Sequence, residues 1–174
     1  MDEMGKLTLA DLNSASDEDF RAALDGLWEH SPWVIEAVSA ERPFASREAL
    51  AEGMWRAVST ADKECQLSLL RAHPDLAGKL AVAGELTPES AREQASAGLD
   101  RLTEREFFAF NDWNERYRQR VGFPFIICVR EHTKSSIRAA FRRRLSASQP
   151  DELGVALAEV RKIAEHRLRD RIAE

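Results

Sequence analysis

Apolar residues recur along this chain at helical spacing, in stretches that each begin with a helix-capping residue. Ser16 with Asp19 opens a stretch that carries Phe20, Leu24 and Leu27, and Ser31-Pro32 opens a short one with Val34 and Val38. Ser46 opens the next, toward Met54 and Val58, and Thr60 stands as N-cap before Ala61–Ala72, with Leu67, Leu69 and Leu70. Thr87-Pro88 pairs an N-cap with proline at the first helical position, so a helix runs from there toward Gly98. Thr103-Glu104-Arg105-Glu106 is a capping box that starts a long helix through Phe107, Phe110 and Trp113, ending before Gly122. Thr133 caps a helix with Ile137, Phe141 and Leu145, and Pro150 starts the last one. The glycines are few and dispersed. The expectation is an all-α fold: residues 1–174 as a single-domain bundle of about eight helices, with neither repeats nor a long linker.

Two places depart from that pattern. Gly122–Arg130 holds two aromatics and three β-branched residues, which predicts a short extended segment near 123–130 with no obvious strand to pair with. A buried extended segment must satisfy its N–H and C=O groups, either from neighbouring side chains and water or from a ligand rich in amide or urea groups. In the last helix Leu153, Leu157, Val160 and Ala164 form an apolar stripe, and Arg167 falls on it. An arginine there snorkels out, pairs with a carboxylate or binds an anionic ligand.

Composition narrows the partners. With 174 residues, 44% of them hydrophobic, the chain is long enough for one ordinary core. A formal net charge of −5 gives no general attraction for nucleic acid or an anionic membrane, which leaves a small molecule or a protein. The run Arg142-Arg143-Arg144 reads as a solvated helix face. Cys65 and Cys128 are too few for a disulfide framework and read as core thiols of a reducing compartment. Met1-Asp2-Glu3 carries no basic leader, and no apolar run approaches 18 residues, so the expected location is the cytoplasm.

Candidate chemistry concentrates in His73-Pro74-Asp75-Leu76-Ala77-Gly78 and, shortly after, Leu86–Gln94. Proline pushes the residue before it out of the α region, so His73 sits where a helix ends. There an imidazole either caps the helix or packs in the core, or titrates near neutral pH. Ser90, Glu93, Gln94 and Ala97 share one helix face, which is either solvated or lines a pocket. These residues leave other classes open: a non-enzymatic helical module binding through the polar face around Ser90 and the arginines of Arg138–Arg144, or a metal-dependent hydrolase using His73, Asp75 and Glu93 with His30 or His132. No His-x-x-x-His or Cys-x-x-Cys spacing supports the latter.

Taken together, these segments resemble the 2-oxo-4-hydroxy-4-carboxy-5-ureidoimidazoline (OHCU) decarboxylase family, which completes the conversion of urate to allantoin. The resemblance runs in order through Glu29-His30-Ser31-Pro32-Trp33, Arg42-Pro43-Phe44, Arg71–Gly78, Leu86–Leu99, Asn111–Arg130 and the Arg161–Arg167 region. It implies an all-helical homodimer that forms (S)-allantoin with neither cofactor nor metal. It makes His73 the catalytic histidine and Glu93 its carboxylate partner, with Pro74, Ser90 and Gln94 in the pocket and Arg167 binding substrate. The stretch Phe125, Ile126, Ile127, Cys128 and Val129 matches the segment whose backbone contacts the substrate's ureido and ring amides. The chain departs from the family's pattern at Val121 and in the Ser146–Pro150 loop, away from those positions.

Overall fold

The computed structural model describes residues 6–174, without the side chain of residue 80; Met1–Glu3, read above for a leader, lie outside them. In chain order the elements begin with strand β1 (Leu7–Thr8) and helices α1 (Leu9–Ser14), α2 (Asp17–Leu24), α3 (Trp33–Ser39), α4 (Arg47–Thr60) and α5 (Lys63–Arg71). They continue with α6 (Lys79–Ala83), α7 (Pro88–Ser96), α8 (Glu104–Val121), α9 (Lys134–Arg144), α10 (Gln149–Arg171) and strand β2 (Ile172–Ala173). The chain is all-α, as expected, with one very short strand pair. Two compact units divide it: the residues up to Leu69 together with Arg161–Glu174, and Leu70–Val160.

In the first unit the capping residues start helices because each hydroxyl takes an otherwise unpaired N–H. Ser16 accepts from Asp19 and Ser46 from Ala49. Phe20, Leu24, Val34, Val38, Met54 and Val58, the positions the periodicity marked, are at most 1% exposed, and α3 packs on both α2 and α4. Each such side chain contributes roughly 1.5–3 kcal/mol of burial. Three local expectations are corrected. Thr60 is the last residue of α4, where its hydroxyl donates back to the Arg56 carbonyl at 2.7 Å, and Asp62 caps α5 instead by accepting from the Cys65 N–H at 2.8 Å. Ser31 makes no cap: its hydroxyl donates to the Glu29 carbonyl. Cys65 is exposed rather than a core thiol, and its hydrogen bond with Asp62 pushes the thiol pKa up. The parallel pairing of β1 with β2, Leu7 opposite Ile172 and Thr8 opposite Ala173, has no signature in the local pattern. Lys6 donates to the Arg169 carbonyl and Arg47 to that of Ile172, which fastens this pair.

In the second unit Thr87, Thr103 and Thr133 cap α7, α8 and α9 as the sequence predicts. Gly122 ends α8 in the left-handed region (φ +85°), where an L side chain is strained, and its N–H closes onto the Arg118 carbonyl at 2.8 Å. The chain then runs extended through 123–128 into a 3-10 turn, Val129–Glu131. This segment is buried and pairs with no strand among the described residues. Its aromatic rings lock it into the core: Phe125 stacks on Phe141 with centroids 3.7 Å apart, and Tyr117 meets Phe125 edge-on at 5.3 Å.

Arg144 corrects the reading of its neighbourhood. Arg142 and Arg143 are exposed, but Arg144 is buried, its Nε 2.7 Å from the Glu152 carboxylate. It also donates to the Ile126 carbonyl at 2.7 Å and lies over the Phe125 ring, while the Tyr117 hydroxyl donates to Glu152. Burial, and then the bond to Glu152, push the Tyr117 pKa well above that of a free phenol. The extended segment is thus held by side chains and aromatic packing in place of a sheet.

Candidate active site

The loop His73–Gly78 is built by the end of α5. The His73 N–H closes the last turn onto the Leu70 carbonyl at 3.2 Å, and Pro74 stops the helix there. His73 is buried at 8% exposure, with Pro74 and Asp75 half-buried beside it. The loop bends sharply. Ala77 sits at φ +50°, a conformation that costs a non-glycine residue roughly 1–2 kcal/mol. Gly78 approaches Asp75 so closely that a Cβ there would lie 2.8 Å from the Asp75 Cβ.

That bend is fixed from α7 and α8. The Ala77 N–H donates to Gln94 Oε1 at 2.8 Å, and Gln94 Nε2 donates to the Asp75 carbonyl at 3.4 Å. Asn114 Nδ2 donates to the Leu76 carbonyl at 2.8 Å, and Arg118 donates to Asp75 Oδ1 at 2.6 Å. Gln94 and Ser90 are buried on the face of α7 that the spacing picked out, and Glu93 on the same face is half-buried. Helix α7 in turn packs against the turn Val129–Glu131. The three expected motifs, His73–Pro74, Ser90–Gln94 and Phe125–Val129, therefore meet within one unit.

Within the extended segment, Phe125, Ile126, Ile127, Cys128 and Val129 are all buried. The Ile126 carbonyl accepts from Arg144, and the Cys128 N–H donates to Glu159 Oε2 at 2.7 Å. The carbonyls of Cys128 and Val129 accept from the N–H groups of Glu131 and His132, both at 3.0 Å. Arg167 lies in the other unit, on α10. It is 3% exposed and, of the three arrangements open to an arginine on the apolar stripe, it makes a carboxylate pair, with Glu29 Oε2 at 2.7 Å, and also donates to the Gly26 carbonyl at 2.9 Å.

Sequence reasoning missed Asn114 and Arg118, although a signal was present. Phe110, Asn114, Tyr117 and Val121 recur at i, i+4, i+7 and i+11 and are all buried, so Asn114 is a polar residue on an apolar stripe, the same anomaly that singled out Arg167. Arg118 follows Asn114 by one turn and reaches the same loop.

The architecture is that of an all-α protein in which a helix-ending histidine, a polar helix face and a buried extended segment converge. The chain belongs to the OHCU decarboxylase family, whose model matches residues 13–169. It is 44% identical over 170 residues to the 2-oxo-4-hydroxy-4-carboxy-5-ureidoimidazoline decarboxylase of Haloferax volcanii, spanning 98% of this chain and 99% of that protein. To the Mus musculus protein of the same name it is 34% identical over 164 residues, 94% of this chain and 92% of the relative. A crystal structure of an (S)-allantoin synthase superposes with a TM-score of 0.77 at 34% identity, covering 95% of this chain and 54% of that one.

Proposed function

We propose that this protein decarboxylates 2-oxo-4-hydroxy-4-carboxy-5-ureidoimidazoline to (S)-allantoin. The observation that carries the reading is the convergence of the His73 loop, the Ser90–Gln94 face and the 125–129 segment in a chain of this family. The substrate bears a carboxylate and a hydroxyl on one ring carbon. As carbon dioxide leaves, the electron pair of the broken C–C bond forms a C=C bond to the neighbouring ureido-bearing carbon while the C=N electrons pass to nitrogen; a proton then adds to that neighbouring carbon, and the hydroxyl gives up its own hydrogen to become the ring carbonyl. Because the substrate itself holds the charge, the step as written uses no cofactor.

His73 and Glu93 handle the protons, one holding the hydroxyl hydrogen and the other delivering a proton to carbon from one face, which yields a single enantiomer. Pro74, Ser90, Gln94 and the backbone of Phe125–Val129 shape the pocket for the ring and ureido group. Arg167, with its charge balanced by Glu29, is the substrate-binding arginine of this reading. Among the described residues no helix is long and apolar enough to cross a membrane. The reading further takes the protein to be a cytoplasmic homodimer acting on a small molecule rather than on nucleic acid, in keeping with its net charge of −5.

The test is circular dichroism of allantoin formed from substrate freshly generated from urate. Rapid appearance of the (S) enantiomer is expected, slowed about 10²- to 10⁴-fold in His73→Ala, the usual contribution of a positioned acid or base. Slow racemic product at the uncatalysed rate overturns the reading, and a His73→Ala variant as fast as wild type removes His73 from the mechanism.

A further inference from the structure

The loop that follows His73 is also held from α8. We propose that Asn114 and Arg118, one turn apart on α8, are positioning residues for His73: they hold the backbone on which the imidazole is mounted. The proposal rests on the decarboxylase reading for its kinetic consequence alone.

The geometry is specific. Between Pro74 and Gly78 the chain turns through a left-handed alanine, which a short loop does not hold unless its surroundings fix it. Gln94 from α7 holds the Ala77 N–H and the Asp75 carbonyl. From α8 the Asn114 amide takes the Leu76 carbonyl, and the Arg118 guanidinium takes the Asp75 side chain. Each residue of Asp75-Leu76-Ala77 is therefore fastened by a side chain from elsewhere in the unit. The Asn114 amide is 3% exposed, and its Oδ1 finds no hydrogen-bond partner among the described residues. A buried amide with one end unsatisfied is an expensive way to stabilise a helix. Its bond to Leu76 makes sense as a fixed point for the loop. The same two helices present Gln94 and Asn114 to adjacent peptide groups, so a shift of α8 displaces the loop beside His73.

The experiment compares Asn114→Leu, which keeps volume and loses the donor, with Arg118→Gln at the half-exposed end of the latch. Arg116→Gln is the control: it removes an arginine from the same helix whose partner, Asp112, is exposed and lies on α8 itself. The first readout is the set of imidazole resonances of the protein labelled at its four histidines, with His73 assigned by His73→Ala. The second is turnover per folded molecule. In Asn114→Leu the His73 resonances move and kcat falls about 10- to 100-fold while KM stays within about threefold, the signature of a misplaced group rather than lost binding. In Arg118→Gln the resonances move in the same sense and kcat falls about two- to fivefold, since a partly exposed pair contributes less. The double variant is less than additive because both act on one loop.

A purely structural role lowers the unfolding temperature but leaves the His73 resonances and kcat per folded molecule at wild-type values, which overturns the proposal. So does a set of shifts no larger than in Arg116→Gln. Should Asn114→Leu not fold, Arg118→Gln alone decides by the same resonances. Because these need no turnover, an inactive wild type sinks the decarboxylase reading and still leaves the positioning claim to be judged.

Discussion

Replacing Arg144 with methionine tests whether the extended segment is held by its buried ion pair. The Arg144 and Glu152 side chains are 6% and 2% exposed, so the substitution strands a carboxylate in the core, removes the donor to the Ile126 carbonyl and takes a cation from over the Phe125 ring. Breaking a buried pair from one side costs about 3–5 kcal/mol. The lost carbonyl bond is part of the same event and is not added to it. For a chain of this size that cost lowers the unfolding midpoint by roughly 2–4 °C per kcal/mol, or about 6–20 °C in total. Urea titration followed by far-ultraviolet circular dichroism measures the free energy directly. The double variant Arg144→Met/Glu152→Leu separates the charge from the packing. Removing both charges recovers about 2 kcal/mol relative to Arg144→Met, because the penalty of the single change is mostly the orphaned carboxylate. A single variant that loses under about 1 kcal/mol, or a double variant whose loss equals the sum of the two singles, refutes this account.

Three other expectations follow from particular contacts. Hydrogen bonds from Lys134, and next from the Thr103 N–H, hold the Glu106 carboxyl near 2, below its ordinary 4.5. Its contribution to stability is complete above pH 4.5 and fades as pH falls toward 2, so urea midpoints of wild type and Glu106→Gln converge over that window. Tyr117 is displaced in the opposite sense: burial keeps its phenol protonated past the usual 10, so stability falls as pH rises above 10, and Tyr117→Phe lacks that alkaline slope. Gly78→Ala forces its Cβ against Asp75 and lowers kcat by displacing the loop. Gly122→Ala meets nothing nearer than 4.0 Å and costs only the conformational penalty of about 1 kcal/mol; equal kinetic effects of the two would show that the Gly78 contact is immaterial.

What the sequence disclosed was local. Ser16, Ser46, Thr87, Thr103 and Thr133 announce their helices because a cap is satisfied within three residues. Thr60 misled because its hydroxyl bonds backward to Arg56, a choice settled by where α4 ends. Arg144 was read with Arg142 and Arg143 because nothing nearby names Glu152 or Ile126 as partners. Tyr117 and Ile126 reach that arginine through tertiary contact alone. In the site, the motifs were legible as residue types at a spacing, and the face holding Ser90 and Gln94 is buried. The clamp from Asn114 and Arg118 spans some forty positions of chain and left only the trace of an asparagine on an apolar stripe.

The strand pair at the two ends of the fold has a mechanical consequence. Leu7–Thr8 and Ile172–Ala173 run parallel, so tension entering β1 from its N-terminal side and β2 from its C-terminal side pulls the strands past one another lengthwise. In that direction the inter-strand bonds bear load together rather than one after another. The Lys6 and Arg47 bonds to the Arg169 and Ile172 carbonyls add to the resistance at the same place. A stretch of two residues on each side thus acts as a buckle, and an otherwise helical chain tethered by both ends would have to open it before its first helices unravel.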